Sequence, residues 1–403
     1  MQMTRHPSQS PRYMRQLDTL RAVAAGMVIL SHWIPGTETF WFNGHVGVQF
    51  FFVISGFLIT GILLDARKNA DRSGISRGVV IRRFYMRRLL RIFPLYYSTL
   101  AVTYLVGIPA VRTSIQWHLL YLSNVFFAIR GEWYGEVAHF WSLAVEEQFY
   151  CLWPWLIMFA SERVLLPLVV ACMLSAPLFR WIAGRVAGLN EIAVMVMPMA
   201  SLDTLGIGAL FALIQRMHGR SSNPVALATT LPRWIGIGGV IVFMGVHLIP
   251  REFGSHAVIS ALGDSMPAPA ALGMVYMTAR GVDGPIGRLL EWGPLVYLGK
   301  ISYGLYVLHF FVPMMTKRAI EWGGLSMTDV MSPYAYFMLN LLVLVVLSSL
   351  SWHFFEKKIN DFKNYFPYVP SEKSHSLQAI SPNGSTSVHA VPGDRVLDRT
   401  ETL

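Results

Sequence analysis

Two ionisable residues lie within the first apolar stretch of the sequence. The segment "LRAVAAGMVILSHW", residues 20–33, contains Arg21 near one end and His32 near the other. Placing such a group in membrane hydrocarbon costs roughly 2.5–3.5 kcal/mol on insertion scales, so these residues usually have a function. The eleven-residue spacing makes about three helical turns, or roughly 16 Å. We therefore predict that both side chains share one helix face at different depths. The alternatives are a snorkelling Arg21 and an interfacial His32.

Paired carboxyl groups occur in the segment "HFWSLAVEEQFY". Ser142 and Glu146 are four residues apart and share a helix face, whereas Glu147 lies about 100° away. Polar groups in a membrane span usually face the interior of the bundle. A carboxylate beside a histidine can fix its tautomer and raise its basicity, so we expect Glu146 to lie close to His32, where the pair would suit a general base. The alternative for both glutamates is a hydrogen bond between helices.

Five arginines lie in "RRFYMRRLLRIFP", at the start of the third apolar run of the sequence. Arg87, Arg88 and Arg91 fall within about one helical turn. The planar arginine side chain binds phosphate with paired hydrogen bonds. An anionic lipid headgroup and a nucleotide phosphate fit this cluster equally well, and positive-inside bias explains part of it. The cluster argues against a nucleic acid partner, because it adjoins a bilayer and lacks interleaved exposed aromatic residues.

Two further segments contain weaker candidates. Tyr303 and His309 in "GKISYGLYVLHF" could line an active cavity together with Glu147. For Asp203 in "SLDTLGIGALFAL" we predict a structural hydrogen bond. The two cysteines, Cys151 and Cys172, lie in apolar runs without metal-ligand spacing, so we predict neither a metal site nor a disulfide.

The composition indicates an integral membrane protein. Of 403 residues, 54% are hydrophobic and 14% are charged, with a mean hydropathy of +0.45. Soluble proteins carry about 25% charged residues. Apolar runs near 20 residues match a hydrocarbon core about 30 Å thick. We predict an all-α protein with a single bundle of about ten transmembrane helices, near residues 17–34, 45–64, 90–109, 139–160, 164–182, 191–214, 234–250, 255–278, 294–315 and 333–355.

The distribution of Lys and Arg predicts the orientation of this bundle. The loop beginning at Asp65 carries nine basic residues, and alternate loops are poorer in positive charge. Basic loops are cytoplasmic, so both termini are predicted to be cytoplasmic. We expect a cytoplasmic N-terminal segment at 1–15, a membrane domain at 16–358 and a disordered cytoplasmic tail at 359–403. An amphipathic helix is predicted within 112–138, at the outer interface.

Together, these segments resemble the integral-membrane acyltransferase-3 family, which includes O-acetyltransferases of bacterial glycans. The resemblance is carried by "LDTLRAVAAGMVILSHW", "GVQFFFVISGFLIT", "RRLLRIFPLYY", "HFWSLAVEEQFYCLWP", "DTLGIGALFA", "ISYGLYVLH" and "LSWHFFEKKI". They occur in family order within residues 16–358.

The resemblance implies roles for several of these residues. Acetyl-CoA or another acyl-CoA would be the donor, used from the cytoplasm, and no metal is implied. Arg21 and His32 match the family's Arg-x10-His pair, with His32 the expected catalytic base. Arg87, Arg88 and Arg91 match the family's basic motif, which is expected to hold the CoA phosphates. Ser142 and Glu146 match its Ser-x3-Glu motif and are the implied further catalytic residues.

The sequence therefore predicts an O-acyltransferase of the bacterial inner membrane. Its acceptor would be a hydroxyl of a cell-surface or lipid-linked glycan, such as an exopolysaccharide, lipopolysaccharide or Nod factor, and polysaccharide-assembly proteins are possible partners. The family's appended esterase-like domain is not found, which implies a stand-alone transferase. Direct attack and an acyl-histidine intermediate both remain open. The alternatives are a transporter or flippase of lipid-linked sugars and an O-acyltransferase of a small hydrophobic acceptor such as a macrolide.

Overall fold

The computed structural model describes residues 14–34, 44–218, 234–239, 241, 265–324 and 331–368. All regular structure in these ranges is helical. The helices are α1 Arg15–Trp33, α2 Gly44–Ser73, α3 Arg77–Leu105, α4 Pro109–Leu119, α5 Ser123–Arg130, α6 Phe140–Phe159, α7 Glu162–Trp181, α8 Glu191–Met195, α9 Leu202–His218, α10 Pro267–Arg280, α11 Gly284–Leu290, α12 Gly293–Lys300, α13 Ser302–Leu308, α14 Phe311–Trp322, α15 Pro333–Ser351 and α16 Lys357–Asn360. Shorter 3-10 turns occur at Gly135–Val137, Pro198–Ser201 and Asp361–Tyr365, and π-helical turns extend α7 over Ile182–Val186 and α15 over Trp352–Glu356.

Four helical stretches in the described residues are long and apolar enough to cross a membrane. They are Gly44–Ser73, Glu162–Val186, Pro198–Arg216 and Pro333–Tyr365. The predicted all-helical class is confirmed for the described ranges, and these four stretches agree with a membrane environment. The predicted span at 234–250 and the first part of the span at 255–278 lie largely outside the described residues.

Helix α2 forms the centre of the bundle. Of its 18 most apolar consecutive residues, 83% are buried. Helix α2 packs mainly on α9 and α1, with further contacts to α10 and α6. The corresponding buried shares are only 22% for α7 and 17% for α15. These two helices expose large apolar side chains, which include Leu174, Leu178, Met338 and Leu342. Such surfaces suit contact with lipid.

Two glycines allow α2 and α9 to cross closely. A Cβ atom on Gly56 would overlap the carbonyl oxygen of Leu205, and one on Gly208 would overlap the carbonyl oxygen of Val53. Small residues let helix backbones approach in this way within membranes. The close crossing fixes α2, which carries one wall of the site described below.

Two of the predicted spans contain interruptions. The span predicted at 191–214 consists of α8, a 3-10 turn that begins at Pro198, and α9. The span predicted at 294–315 consists of α12, α13 and the first part of α14. The second interruption in that span is at His309 and Phe310, and Pro313 follows in the first turn of α14, where no amide donor is needed. The residues of both predicted spans are helical on each side of these interruptions, and neither segment is a single continuous helix.

Two other boundaries differ from the sequence prediction. The amphipathic segment predicted within 112–138 forms two short helices, α4 and α5, separated near Tyr121, whose φ is +53°. The helical chain also continues beyond residue 358 through α16 and the turn at Asp361–Tyr365. The rest of the predicted tail, from residue 369, lies outside the described residues.

Candidate active site

A polar cavity of about 120 Å³ lies between α1, α2, α3, α6 and α13. Apolar walls come mainly from α2, and the polar groups come from all five helices. The polar lining residues are Arg21, Ser55, Arg88, Arg91, Ser142, Glu146, Glu147, Tyr150, Ser302, Tyr303 and Tyr306. Three guanidinium groups and two carboxyl groups therefore meet in one cavity between these helices.

The arginines at this cavity are held by aromatic rings. The guanidinium carbon of Arg88 lies 5.2 Å from the ring centroid of Tyr150, and that of Arg91 lies 4.8 Å from the ring centroid of Trp352. Arg21 reaches the same cavity from α1. Stacking on a ring face orients a guanidinium group while leaving its in-plane donors available for an anion.

The predicted arginine cluster is divided between two environments. Arg88 and Arg91 line the cavity, whereas Arg87 donates a hydrogen bond of 3.1 Å to the carbonyl oxygen of Lys363 and lies over the ring of Tyr368. Consecutive residues point about 100° apart on a helix, which explains why Arg87 and Arg88 face different neighbours. In this structure Arg87 therefore contacts the C-terminal segment rather than the cavity.

Glu146 is hydrogen-bonded within the cavity. Its Oε1 accepts from the hydroxyls of Ser55 and Tyr150, and the Tyr150 hydroxyl also lies 3.2 Å from the Ser55 oxygen. We expected Glu146 to lie beside His32, but the structure gives it these two partners instead. Glu147 lines the same cavity.

Tyr306 lines the cavity next to Ser142. Its hydroxyl is 2.5 Å from the Ser142 hydroxyl and donates to the carbonyl oxygen of His139 at 2.9 Å. Tyr303 also lines the cavity, and its hydroxyl donates to the carbonyl oxygen of Ile92 at 2.8 Å. The Tyr306 ring lies 5.5 Å from the ring of His309. Tyr306 therefore stands between the cavity and the histidines beyond it.

The two ends of α1 carry different parts of the site. Arg21, in the cavity, forms a 3.0 Å ion pair with the buried Asp18 one turn earlier. His32, in the last turn, places Nδ1 3.0 Å from Nε2 of His309. Among the described residues, neither histidine belongs to the cavity lining, although Tyr306 contacts both regions. His309 thus lies beside His32 and is not among the residues that line this cavity.

Sequence reasoning missed several residues of this cavity. Tyr150 follows Glu146 by four residues, so it could have been identified from the helix face that Ser142 and Glu146 share. Tyr306 similarly follows Tyr303 by three residues. Ser55 is a single hydroxyl residue in an apolar run, and its position in the sequence does not indicate which residue it contacts.

The sequence matches the acyltransferase-3 family, described as "Acyltransferase domain", over residues 14–353. The chain belongs to this family. The resemblance drawn from the motifs is therefore confirmed. The match begins at the start of α1 and ends within the π-helical turn after α15, so it includes every helix that contributes to the cavity.

Several curated proteins are similar along most of this chain. A putative peptidoglycan O-acetyltransferase of Bacillus subtilis is 29% identical over 88% of the chain and 56% of its own length. An O-acetyltransferase of Staphylococcus aureus is 26% identical over 92% of the chain and 61% of its own length. A peptidoglycan O-acetyltransferase of Listeria monocytogenes is 24% identical over 90% and 59%. The chain thus spans less than two thirds of these relatives. No solved structure shows significant similarity to it.

Proposed function

We propose that this chain is a membrane O-acyltransferase that moves an acetyl group from acetyl-CoA to a hydroxyl of a cell-surface or lipid-linked glycan. The observation that supports this most directly is the convergence of Arg21, Arg88 and Arg91 on one cavity in a member of this family. A cluster of guanidinium groups enclosed by a helix bundle suits the phosphates of a nucleotide-bearing donor.

The donor would bind with its phosphates on the cavity arginines. Coenzyme A carries its phosphates and its thioester at opposite ends of a flexible arm. Because Arg21 and His32 lie on the same helix about 16 Å apart, an arm running alongside α1 would direct the thioester towards His32. Tyr306 and Ser142 lie on this route, so their hydrogen bond would have to open for the acetyl group to pass.

His32 would act as the general base. It would remove the proton from an acceptor hydroxyl, whose oxygen would form a bond to the thioester carbonyl carbon. The carbon–sulfur bond would then break, and the CoA thiolate would take up the proton. Donors aimed at the developing oxyanion would lower the barrier. Transfer through an acyl-histidine is the competing route.

The proposed arrangement requires about ten membrane spans with both termini in the cytoplasm of a bacterial inner membrane. The basic segment at the end of α2 and the start of α3 would then face the cytoplasm, as positive-inside bias requires. Acetyl-CoA would enter from that side, and the outer end of α1 would face the acceptor. Peptidoglycan is one candidate acceptor because it is named for the relatives. Exopolysaccharide and lipopolysaccharide are others.

Transfer in isolated membranes tests this function. Membranes that contain the full chain should move radiolabel from acetyl-CoA to glycan, and His32→Ala should lower the rate by about 10²–10⁴-fold, the usual contribution of a general base. His353→Ala is the matched control, because His353 is an exposed histidine on the π-helical turn after α15. Absence of transfer by the unmodified chain with every glycan offered would contradict the proposal. Full activity of His32→Ala would remove the base role alone.

A further inference from the structure

Two imidazole rings join the last turn of α1 to the break between α13 and α14. Nδ1 of His32 lies 3.0 Å from Nε2 of His309, the ring planes differ by 16°, and the ring centroids are 5.2 Å apart. This centroid distance is expected for two imidazole rings that lie in nearly the same plane and share a hydrogen bond between ring nitrogens. Rings stacked face to face would have a shorter centroid distance. One hydrogen atom is therefore shared in the plane of both rings.

The direction of this hydrogen bond follows from the other nitrogen of His309. Its Nδ1 lies 2.5 Å from the carbonyl oxygen of Tyr306, which can only accept, so Nδ1 carries the hydrogen. His309 is fully buried, and its hydrogen-bond partners among the described residues include no carboxylate. Burying an unpaired cation is costly, so the ring is neutral. Its Nε2 then holds a lone pair and must accept the hydrogen bond.

His32 must consequently donate from Nδ1, which leaves the lone pair on its Nε2. We propose that His309 is a positioning residue for the transfer reaction: it holds His32 in the tautomer and orientation in which Nε2 takes the proton of the acceptor hydroxyl. This inference rests on the function proposed above. His32 is exposed whereas His309 is fully buried, and within the described ranges Nε2 of His32 has no hydrogen-bond partner, so the nitrogen that would take the proton is on the accessible ring of the pair.

The surroundings of His309 keep it fixed. The indole nitrogen of Trp33 donates to its carbonyl oxygen at 3.0 Å, so consecutive residues of α1 bond to the same histidine. The ring of His139 meets its ring nearly edge-on, with centroids 4.7 Å apart. His309 also lies in a helix break, where its side chain and its carbonyl group can both point towards α1. A base oriented by a third group is the general pattern of activated acid–base pairs.

Three substitutions separate the positioning role from a purely structural one. In His309→Gln the amide oxygen can replace Nε2 as acceptor for His32. In His309→Asn the shorter side chain reaches only the Tyr306 carbonyl, and in His309→Phe the ring has no acceptor at all. We expect kcat for acetyl transfer to fall by about 10²-fold in the Asn and Phe variants and by less than about 5-fold in the Gln variant. KM for acetyl-CoA should change by less than about 2-fold in all three, because His309 is outside the arginine cavity.

A matched control is His118→Phe. His118 is also fully buried, and its Nδ1 has no hydrogen-bond partner among the described residues. Its Nε2 lies 3.0 Å from the Ser114 hydroxyl, which keeps its own bond to the Ala110 carbonyl oxygen when the imidazole is removed, so His118→Phe should retain activity. If His309→Asn matched the unmodified protein, or if Gln and Asn lost equal activity, the positioning role would be overturned. Inactivity of the unmodified protein would contradict the proposed function instead.

The tautomer can also be read without turnover. Nitrogen-15 spectra of histidine-labelled protein in lipid, with the His32 signal assigned by its loss in His32→Ala, should show His32 protonated on Nδ1. The His309→Phe variant should shift that signal towards the Nε2-protonated form, and the Gln variant should not. An Nε2-protonated His32 in the unmodified protein would overturn the inference even if every variant lost activity.

Discussion

Neighbouring arginines of α3 have separable roles at the residue scale. Arg88 lines the cavity, and a charge-assisted hydrogen bond to phosphate is worth about 1.5–3 kcal/mol. Arg88→Ala should therefore raise KM for acetyl-CoA by roughly 10–100-fold, at about 1.4 kcal/mol per factor of ten, with a smaller change in kcat. Arg82 is exposed one to two turns earlier on α3, so Arg82→Ala should leave KM unchanged. Equal effects of the two substitutions in steady-state kinetics would indicate a general electrostatic role instead.

The hydroxyls that bond to Glu146 give a second residue-scale prediction. Tyr150→Phe removes a donor to that carboxylate inside the cavity, and we expect kcat to fall by roughly 10-fold, the effect of losing about 1.4 kcal/mol. Tyr85→Phe is the control, because the Tyr85 hydroxyl bonds to the carbonyl oxygen of Cys151 away from the cavity lining. Single-turnover rates should distinguish the pair, and unchanged rates in Tyr150→Phe would make its hydroxyl dispensable.

The sequence identified residues of this site more readily than it identified their partners. Helical spacing correctly grouped Ser142 with Glu146, because a four-residue interval fixes a shared face. It could not show that Glu146 bonds to Ser55, since that contact depends on how α2 and α6 pack. The pairing of His32 with His309 was missed for the same reason, because 277 residues separate the two histidines.

At the scale of elements, hydropathy located helices but not their interruptions. The runs predicted at 17–34 and 139–160 agree closely with α1 and α6. A window of about 20 residues averages over a short break, so the interruption at His309 and Phe310 left no signal in the apolar run. That break is where His309 meets α1.

The glycine contact between α2 and α9 predicts a clear difference between two alanine substitutions. Gly208→Ala would place a Cβ against the carbonyl oxygen of Val53, which belongs to backbone that cannot move away cheaply. We expect a loss of about 1–3 kcal/mol, the usual cost of overpacking. Gly26→Ala on α1 meets nothing within 4 Å and should leave stability unchanged. Melting in detergent, followed by fluorescence-detected size exclusion, measures both, and equal melting temperatures would show that the crossing tolerates the methyl group.

At the scale of the molecule, one buried ion pair links three parts of the bundle. Arg180 on α7 donates to Asp203 on α9 at 2.7 Å, and the hydroxyl of Ser265, just before α10, donates to the same carboxylate at 2.7 Å. Asp203→Ala would remove the carboxylate that balances the charge of the buried Arg180, so we expect a destabilisation of about 3–5 kcal/mol. The exposed pair formed by Arg130 and Glu132 should contribute less than about 1 kcal/mol, so Glu132→Ala serves as the comparison. Similar melting temperatures for the two variants would mean that the buried pair does not hold these helices together.

The orientation of the whole bundle decides which face meets acetyl-CoA. If positive-inside bias holds, the turn between α2 and α3 is cytoplasmic, and α4, which follows the other end of α3, lies outside. Single cysteines at Ser76 and Thr113, introduced after replacement of Cys151 and Cys172, report these two sides. A membrane-impermeant maleimide added to spheroplasts should label the Thr113→Cys variant, and the Ser76→Cys variant should react only in inverted vesicles. The reverse labelling would place the arginine cavity next to the external face, where acetyl-CoA is absent, and the donor would then have to be something other than cytoplasmic acetyl-CoA.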